Sequence, residues 1–187
     1  AVDERDWRRR RRWVYVLVVR FLSQMYQTGH YGGALTAYAP LGTIVALMGY
    51  GEIALVGGLV CVALSTLPDY DHRLPMIGHR GPTHTILFAL AVGAGLATLA
   101  AVSIDASSTL VDIGIDAFAF LVGVVSIGSH LLTDALTPMG IRPFWPVSRR
   151  RYSFEMTTAD NPVANYGLFG LGIAAALAGL SITLVVG

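Results

Sequence analysis

Eight side chains in this sequence could ligate a metal ion, and they fall into three short polar clusters. His30 stands at the head of an apolar stretch. Asp69, Asp71, His72, His79 and His84 crowd the segment LPDYDHRLPMIGHRGPTHT, and His130 and Asp134 lie four apart in SHLLTDALTP. All five histidines of the chain are in this set. Imidazole and carboxylate donors without thiolate suit zinc, manganese or iron. The HxxxD spacing puts His130 and Asp134 on one helix face within about 6 Å, where both can grip one ion. Two carboxylates and an imidazole within residues 69–72 concentrate negative charge that a cation would neutralise. Arg73 and Leu74 break the pattern of a calcium EF-hand loop there. Eight candidates exceed the donors of one tetrahedral ion, so the sequence predicts one or two divalent ions with catalytic and supporting groups around them. A metal-activated water would be the nucleophile, with Asp69, Asp71 or a histidine as general base.

Each cluster also has a plainer reading. His130 and Asp134 could hydrogen-bond two helices together, as polar residues in membranes do. Residues 69–84 could form a solvated turn, with Pro68 ending one helix and Thr83 capping the next. Arg80 could clamp a phosphate through its guanidinium, a catalytic role, or form a salt bridge to Asp69 or Asp71. Arg149, Arg150 and Arg151, just after Phe144 and Trp145, read as a headgroup-level anchor or simply as a topology signal.

The elements that must carry these residues are membrane helices. Apolar residues make up 54% of 187 and charged residues only 13%, about half the charged share of a soluble chain. Every basic residue is arginine, which reads as compositional bias. Cys61, the one cysteine, lies in an apolar run; it excludes an internal disulfide and reads as a small buried hydrophobe.

Runs near membrane length predict an all-α polytopic bundle of four to five transmembrane helices. They cover about residues 31–50, 53–67, 85–104, 113–133 and 162 to the C-terminus. Gly93, Gly95, Gly123, Gly128, Gly167, Gly170 and Gly172 recur along them, and small residues let helices approach closely in lipid. Residues 1–27 read as a separate unit, an arginine-rich tail (Arg8–Arg12) and an interfacial amphipathic helix; residues 28–187 read as the membrane domain. Arg20 interrupts the apolar run after the arginines, and no small-residue cleavage site follows, which argues against a signal peptide.

With the N-terminal tail in the cytoplasm and its helix not crossing, Arg73, Arg80, Arg142 and Arg149–Arg151 all face inward. Only Asp105, Asp112 and Asp116 lie near the outer link. The same topology brings His30, residues 69–84, His130 and Asp134, and Asn161 and Asn165 to the inner leaflet. Asp116 lies fourteen residues before His130, ~21 Å along a helix, and is outside the site.

The motifs LPDYDH, GHRGPTHT and GSHLLTDALTPMGIRPFWP, with His30 ahead of them, resemble the membrane-bound metal-dependent hydrolase family of bacterial and archaeal inner membranes. The similarity covers roughly residues 28–165. That family is distantly similar to the zinc-dependent phospholipase C and single-strand nuclease group of all-helical phosphodiesterases. The resemblance implies one metal held by an Asp of the 69–71 pair, His84, His130 and Asp134, and a second sharing Asp134 and using His30. Where the soluble enzymes carry an HxxxE helix, this chain has Asn161 and Asn165.

The expectation is therefore a hydrolase of the inner membrane with its site facing the cytoplasm. It would cleave a phosphoester of a phospholipid-like or lipid-linked substrate with a divalent metal, foremost zinc. A metal-stabilised scaffold or partner-binding protein is the alternative. A transporter fits less well, because the helix interiors are apolar. Nucleic acid is a poor partner for Arg8–Arg12, which lacks interleaved aromatics.

Overall fold

The computed structural model describes residues 27–73, 80–105 and 108–186, the side chains of His72 and Arg73 excepted. The arginine-rich tail and its interfacial helix lie outside the described residues. Five α-helices follow one another: α1 (Gln27–Leu47), α2 (Gly51–Leu64), α3 (Ile86–Ser103), α4 (Thr109–Ala135) and α5 (Pro162–Val186). Short 3-10 turns at Leu67–Arg73 and Pro82–His84 join α2 to α3. Among the described residues there is no strand, only the isolated bridge Ile141↔Tyr152.

Four helical stretches are long and apolar enough to cross a membrane: Gly51–Asp71, Ile86–Ser103, Thr109–Ala135 and Pro162–Val186. Helix α1 is absent from that set for a physical reason. Its 21 residues span ~31 Å, but its glycines and its histidine, tyrosines and threonines dilute the apolar character. It packs against α2, α4 and α5, burying Gly29, His30, Gly32, Gly33, Ala34, Tyr38 and Gly42. A helix shielded by neighbours does not need a lipid-compatible surface. It also begins a turn before the predicted start, which places His30 inside the helix. Helix α2 ends at Leu64, and Pro68 sits in the 3-10 turn beyond it.

Close approach between helices is confined to a few glycines. Gly172 of α5 lies against the backbone of Gly32 on α1, and Gly93 of α3 against Gly123 of α4; a Cβ at any of them would strike main chain. Gly95, Gly128, Gly167 and Gly170 face open space instead. Of the seven glycines expected to allow close helix approach, only Gly93, Gly123 and Gly172 do so, because they alone lie on the crossing faces.

The burial pattern is that of a lipid-solvated bundle. Leu55, Leu59, Leu87, Leu177 and Leu184 are exposed on the outside, whereas His30, Asp71, His84, His130, Asp134 and Asn165 are buried within. The apolar core is correspondingly small: Ala34, Tyr38, Cys61 and Val122 at mid-bundle, and Ala89, Ile127, Leu131, Ala135 and Ile141 nearer the histidines.

Candidate metal centre

Helix α4 supplies the floor of the site. Ser126, Ser129, His130, Thr133 and Asp134 recur at helical spacing on one face of its last turns, and all are buried, as is Thr137 just beyond the helix. Three of the hydroxyls answer to the backbone of the helix or its end: Ser129 Oγ donates to Ser126 O, Thr133 Oγ1 to His130 O and Thr137 Oγ1 to Asp134 O. Ser126 Oγ donates across to Cys61 O of α2, tying the two helices. Helix α1 brings His30 to this face. The two 3-10 turns bring Asp69 and His84.

Three imidazoles are oriented by their Nδ1 atoms. His130 Nδ1 lies 2.7 Å from Ser65 O, a carbonyl that can only accept, so this nitrogen carries the proton. His30 Nδ1 lies 2.7 Å from Thr133 Oγ1. That hydroxyl has given its hydrogen to His130 O, so His30 Nδ1 also donates. His84 Nδ1 sits 3.0 Å from Thr83 Oγ1 and 3.5 Å from Asp71 Oδ2. Asp71 in turn accepts from the Arg80 backbone N–H and from Thr83 Oγ1, both at 3.1 Å. With Nδ1 engaged in every case, the Nε2 atoms are left as inward-facing donors for a cation. This is the outer-group arrangement that fixes metal-binding histidines elsewhere in proteins.

Those Nε2 atoms converge on two carboxylates. His84 Nε2 and His130 Nε2 are 3.1 Å apart. Asp134 Oδ2 lies 3.3 Å from the first and 3.7 Å from the second, and has no well-aligned hydrogen-bond donor. Asp69 Oδ1 is 3.6 Å from His130 Nε2 and 3.7 Å from His84 Nε2. His30 Nε2 is 3.8 Å from Asp69 Oδ2 and 3.9 Å from Asp134 Oδ1. The His30 and His130 rings stack with centroids 4.0 Å apart.

Metal–ligand bonds of about 2.0–2.1 Å imply donor–donor edges of roughly 3.3 Å around a tetrahedral ion. The observed spacings, from 3.1 to 3.9 Å, bracket that edge. Two sets satisfy the geometry, His30–His130–Asp134 and Asp69–His84–His130, with His130 common to both. Buried nitrogen lone pairs and carboxylates that face one another repel unless a cation or a proton lies between them. The donor set therefore fits a divalent ion. His84, outside the spans, shows the competing solution. Burial disfavours its charge, but the close carboxylates of Asp134 and Asp69 and the negative charge of Asp71 outweigh that and raise its pKa. A bound cation must displace that proton, so acid weakens metal retention.

The structure divides the predicted residues into groups. His30, Asp69, His84, His130 and Asp134 meet. Asp71 does not face the Nε2 cluster; it stands behind His84 with its carboxylate on the Nδ1 side. Arg80 lies between the two 3-10 turns and α4. Its NH2 donates to Asp134 Oδ1 at 2.8 Å, and its NH1 donates to Thr137 Oγ1 and Gly140 O. Its salt-bridge partner is thus Asp134 rather than Asp69 or Asp71, because its left-handed backbone (φ 57°) aims the N–H at Asp71 and sends the side chain across to α4. His79 and the side chain of His72 lie outside the described residues.

One further expectation is corrected. The N-cap of α3 is Thr85, whose side chain accepts from Phe88 N, because the 3-10 turn at Pro82–His84 delays the helix start; Thr83 is thereby released to Asp71. Asn161 caps α5 through Val163 N and Ala164 N, while the buried Asn165 donates to Ala159 O and Asn161 O. Both asparagines hold the entry to α5.

Sequence reasoning missed Ser65, Thr133 and Thr137, which bond to the residues of the centre. The Ser/Thr recurrence in phase with His130 and Asp134 was the available signal.

No curated protein and no solved structure matches this chain. A family model does match, over residues 25–186, which takes in the helical bundle and every member of the histidine–aspartate centre. On that match the chain belongs to the YdjM inner membrane protein family.

Proposed function

We propose that this membrane protein is a metal-dependent hydrolase, with zinc foremost among the candidate ions, acting on a phosphoester of a lipid or lipid-linked substrate at the cytoplasmic membrane face. One observation carries the reading: three histidines held by their Nδ1 atoms aim three Nε2 atoms at Asp69 and Asp134. His30, Asp69, His84, His130 and Asp134 would hold the ion. Bound there, a divalent ion supplies a Lewis acid that acidifies water and polarises a phosphoryl oxygen. The resemblance in the motifs points to the same chemistry.

The chain's own groups have distinct roles in this account. Asp69 is the member with solvent access, its side chain 22% exposed against 2% or less for the other four, so it is the carboxylate able to exchange a proton with a substrate-side water. Asp71 and Thr83 position His84, and Arg80 positions Asp134. The cytoplasmic assignment rests on arginine distribution: Arg80, Arg142 and Arg149–Arg151 accompany the histidine end, while Asp105, Asp112 and Asp116 belong to the other.

The test is phosphate-ester release from phospholipid by purified, metal-loaded protein. Asp69→Asn removes a ligand charge and the proton-exchanging carboxylate together, and is expected to lower turnover by about 10²–10⁴-fold. Equal turnover in both proteins would remove Asp69 from the chemistry. One observation favours a second reading, a metal-stabilised scaffold: four of the five donors are buried, and closed sites are typically structural. Tightly held metal without turnover on any phospholipid would select it.

A further inference from the structure

The stretch between α4 and α5, residues 136–161, is unusual for its surface. Phe144, Trp145, Val147, Phe154 and Met156 are all exposed, Val147 by 95% and Met156 by 75%. Arg142, Arg149, Arg150 and Arg151 are exposed among them, and Arg150 lies over the Tyr152 ring at 5.4 Å. Within residues 138–158 four arginines face one acidic residue, Glu155.

This surface is pinned to the bundle. Phe154 N and Met156 N donate to Ala135 O and Leu136 O at the end of α4, and Ile86 N of α3 donates to Pro143 O. Ile141 and Tyr152 exchange both backbone hydrogen bonds at 2.9 Å, and Arg80 reaches Gly140 O from the metal centre. The same backbone contacts that fix the segment also fix its level, at the ends of two membrane-length helices, α3 and α4. Large apolar side chains interleaved with arginines at that level match an acyl boundary beneath a layer of phosphates.

We propose that residues 138–158 form a docking platform for anionic lipid headgroups, at the rim of the metal centre and at the same membrane face. The arginines read the negative charge, and the aromatic and aliphatic side chains seat the platform in the interface. The platform does not require that the centre turn over substrate, so metal content is a separate readout.

Trp145 reports on it directly. The chain has three tryptophans, and the variant Trp7→Phe/Trp13→Phe leaves Trp145 alone. Reconstituted into phosphatidylcholine vesicles with a minor fraction of brominated lipid, Trp145 is expected to be quenched at least about twofold more by brominated phosphatidylglycerol than by brominated phosphatidylcholine. That preference should vanish in Arg149→Gln/Arg150→Gln/Arg151→Gln and fall at ~1 M salt, with bound metal unchanged. Equal quenching by the two lipids, or a preference that survives the triple substitution, would overturn the proposal. No quenching by either lipid would also overturn it and turn the surface toward a soluble polyanion.

Discussion

The two ends of the bundle are built on opposite principles. At the histidine end, polar side chains are buried and tied to one another: Asp134 to Arg80, His130 to Ser65, His30 to Thr133, Asp71 to Thr83. At the other end α2 and α3 both flank α4. They leave a crevice of about 570 Å³ lined mainly by apolar side chains such as Val56, Leu96, Leu99 and Phe118. In lipid, apolar contacts between helices have little advantage over contacts with acyl chains. The apolar end can therefore stay loosely packed, whereas unsatisfied polar groups are costly and force the other end into one arrangement. Order in this molecule follows its hydrogen bonds more than its apolar contacts.

Substitutions at the two ends should differ accordingly. The largest effect is expected for Arg80→Met, which leaves the Asp134 carboxylate buried without its guanidinium. In chelator-treated protein it should cost about 3–5 kcal/mol, read from thermal unfolding in detergent. A loss within the range of ordinary surface changes would show that Asp134 finds another cation.

Thr133→Val comes next. It removes the hydroxyl between His30 Nδ1 and His130 O, at about 1–3 kcal/mol for the unpaired imidazole N–H. Metal affinity should fall about 10–100-fold, the usual effect of losing an orienting partner, measured by competition with a chelating dye. Unchanged affinity would place His30 outside the coordination set.

Thr85→Ala removes the N-cap of α3 and should cost ~1 kcal/mol without changing metal stoichiometry. Leu99→Ala, at the crevice and 59% exposed, should lie within about 0.5 kcal/mol of wild type. A large loss there would mean that the apolar end is packed against something in the membrane.

The sequence announced one end far better than the other. Apolar runs gave the helices because lipid imposes length and composition on them, and the clusters at their ends gave the donors. His30, His84, His130 and Asp134 were legible since each stands in a short polar motif at a span end. Asp71 was not separable from Asp69, because two carboxylates two residues apart in a 3-10 turn point in different directions and spacing alone does not say which. The partner of Arg80 was hidden for a related reason: its positive φ, not its neighbours in sequence, aims it at α4. Helix α1 was legible as a run near residues 31–50, but its start at Gln27 was not, because the polar first turn that carries His30 is shielded by neighbouring helices rather than by lipid. The hydroxyls of Ser126, Ser129 and Thr133 passed as ordinary membrane-helix residues, although their phase with His130 and Asp134 identified them.

The central claim is that side chains from α1, α4 and the two 3-10 turns form one cation site. Elemental analysis of detergent-purified protein tests it most directly, comparing wild type with His30→Ala, His84→Ala and His130→Ala. The account predicts one or two equivalents of a divalent transition metal in wild type, lost in His130→Ala and reduced by each of the other substitutions. Wild-type protein that takes up no metal even after reconstitution, or that keeps its full complement in His130→Ala, would contradict it.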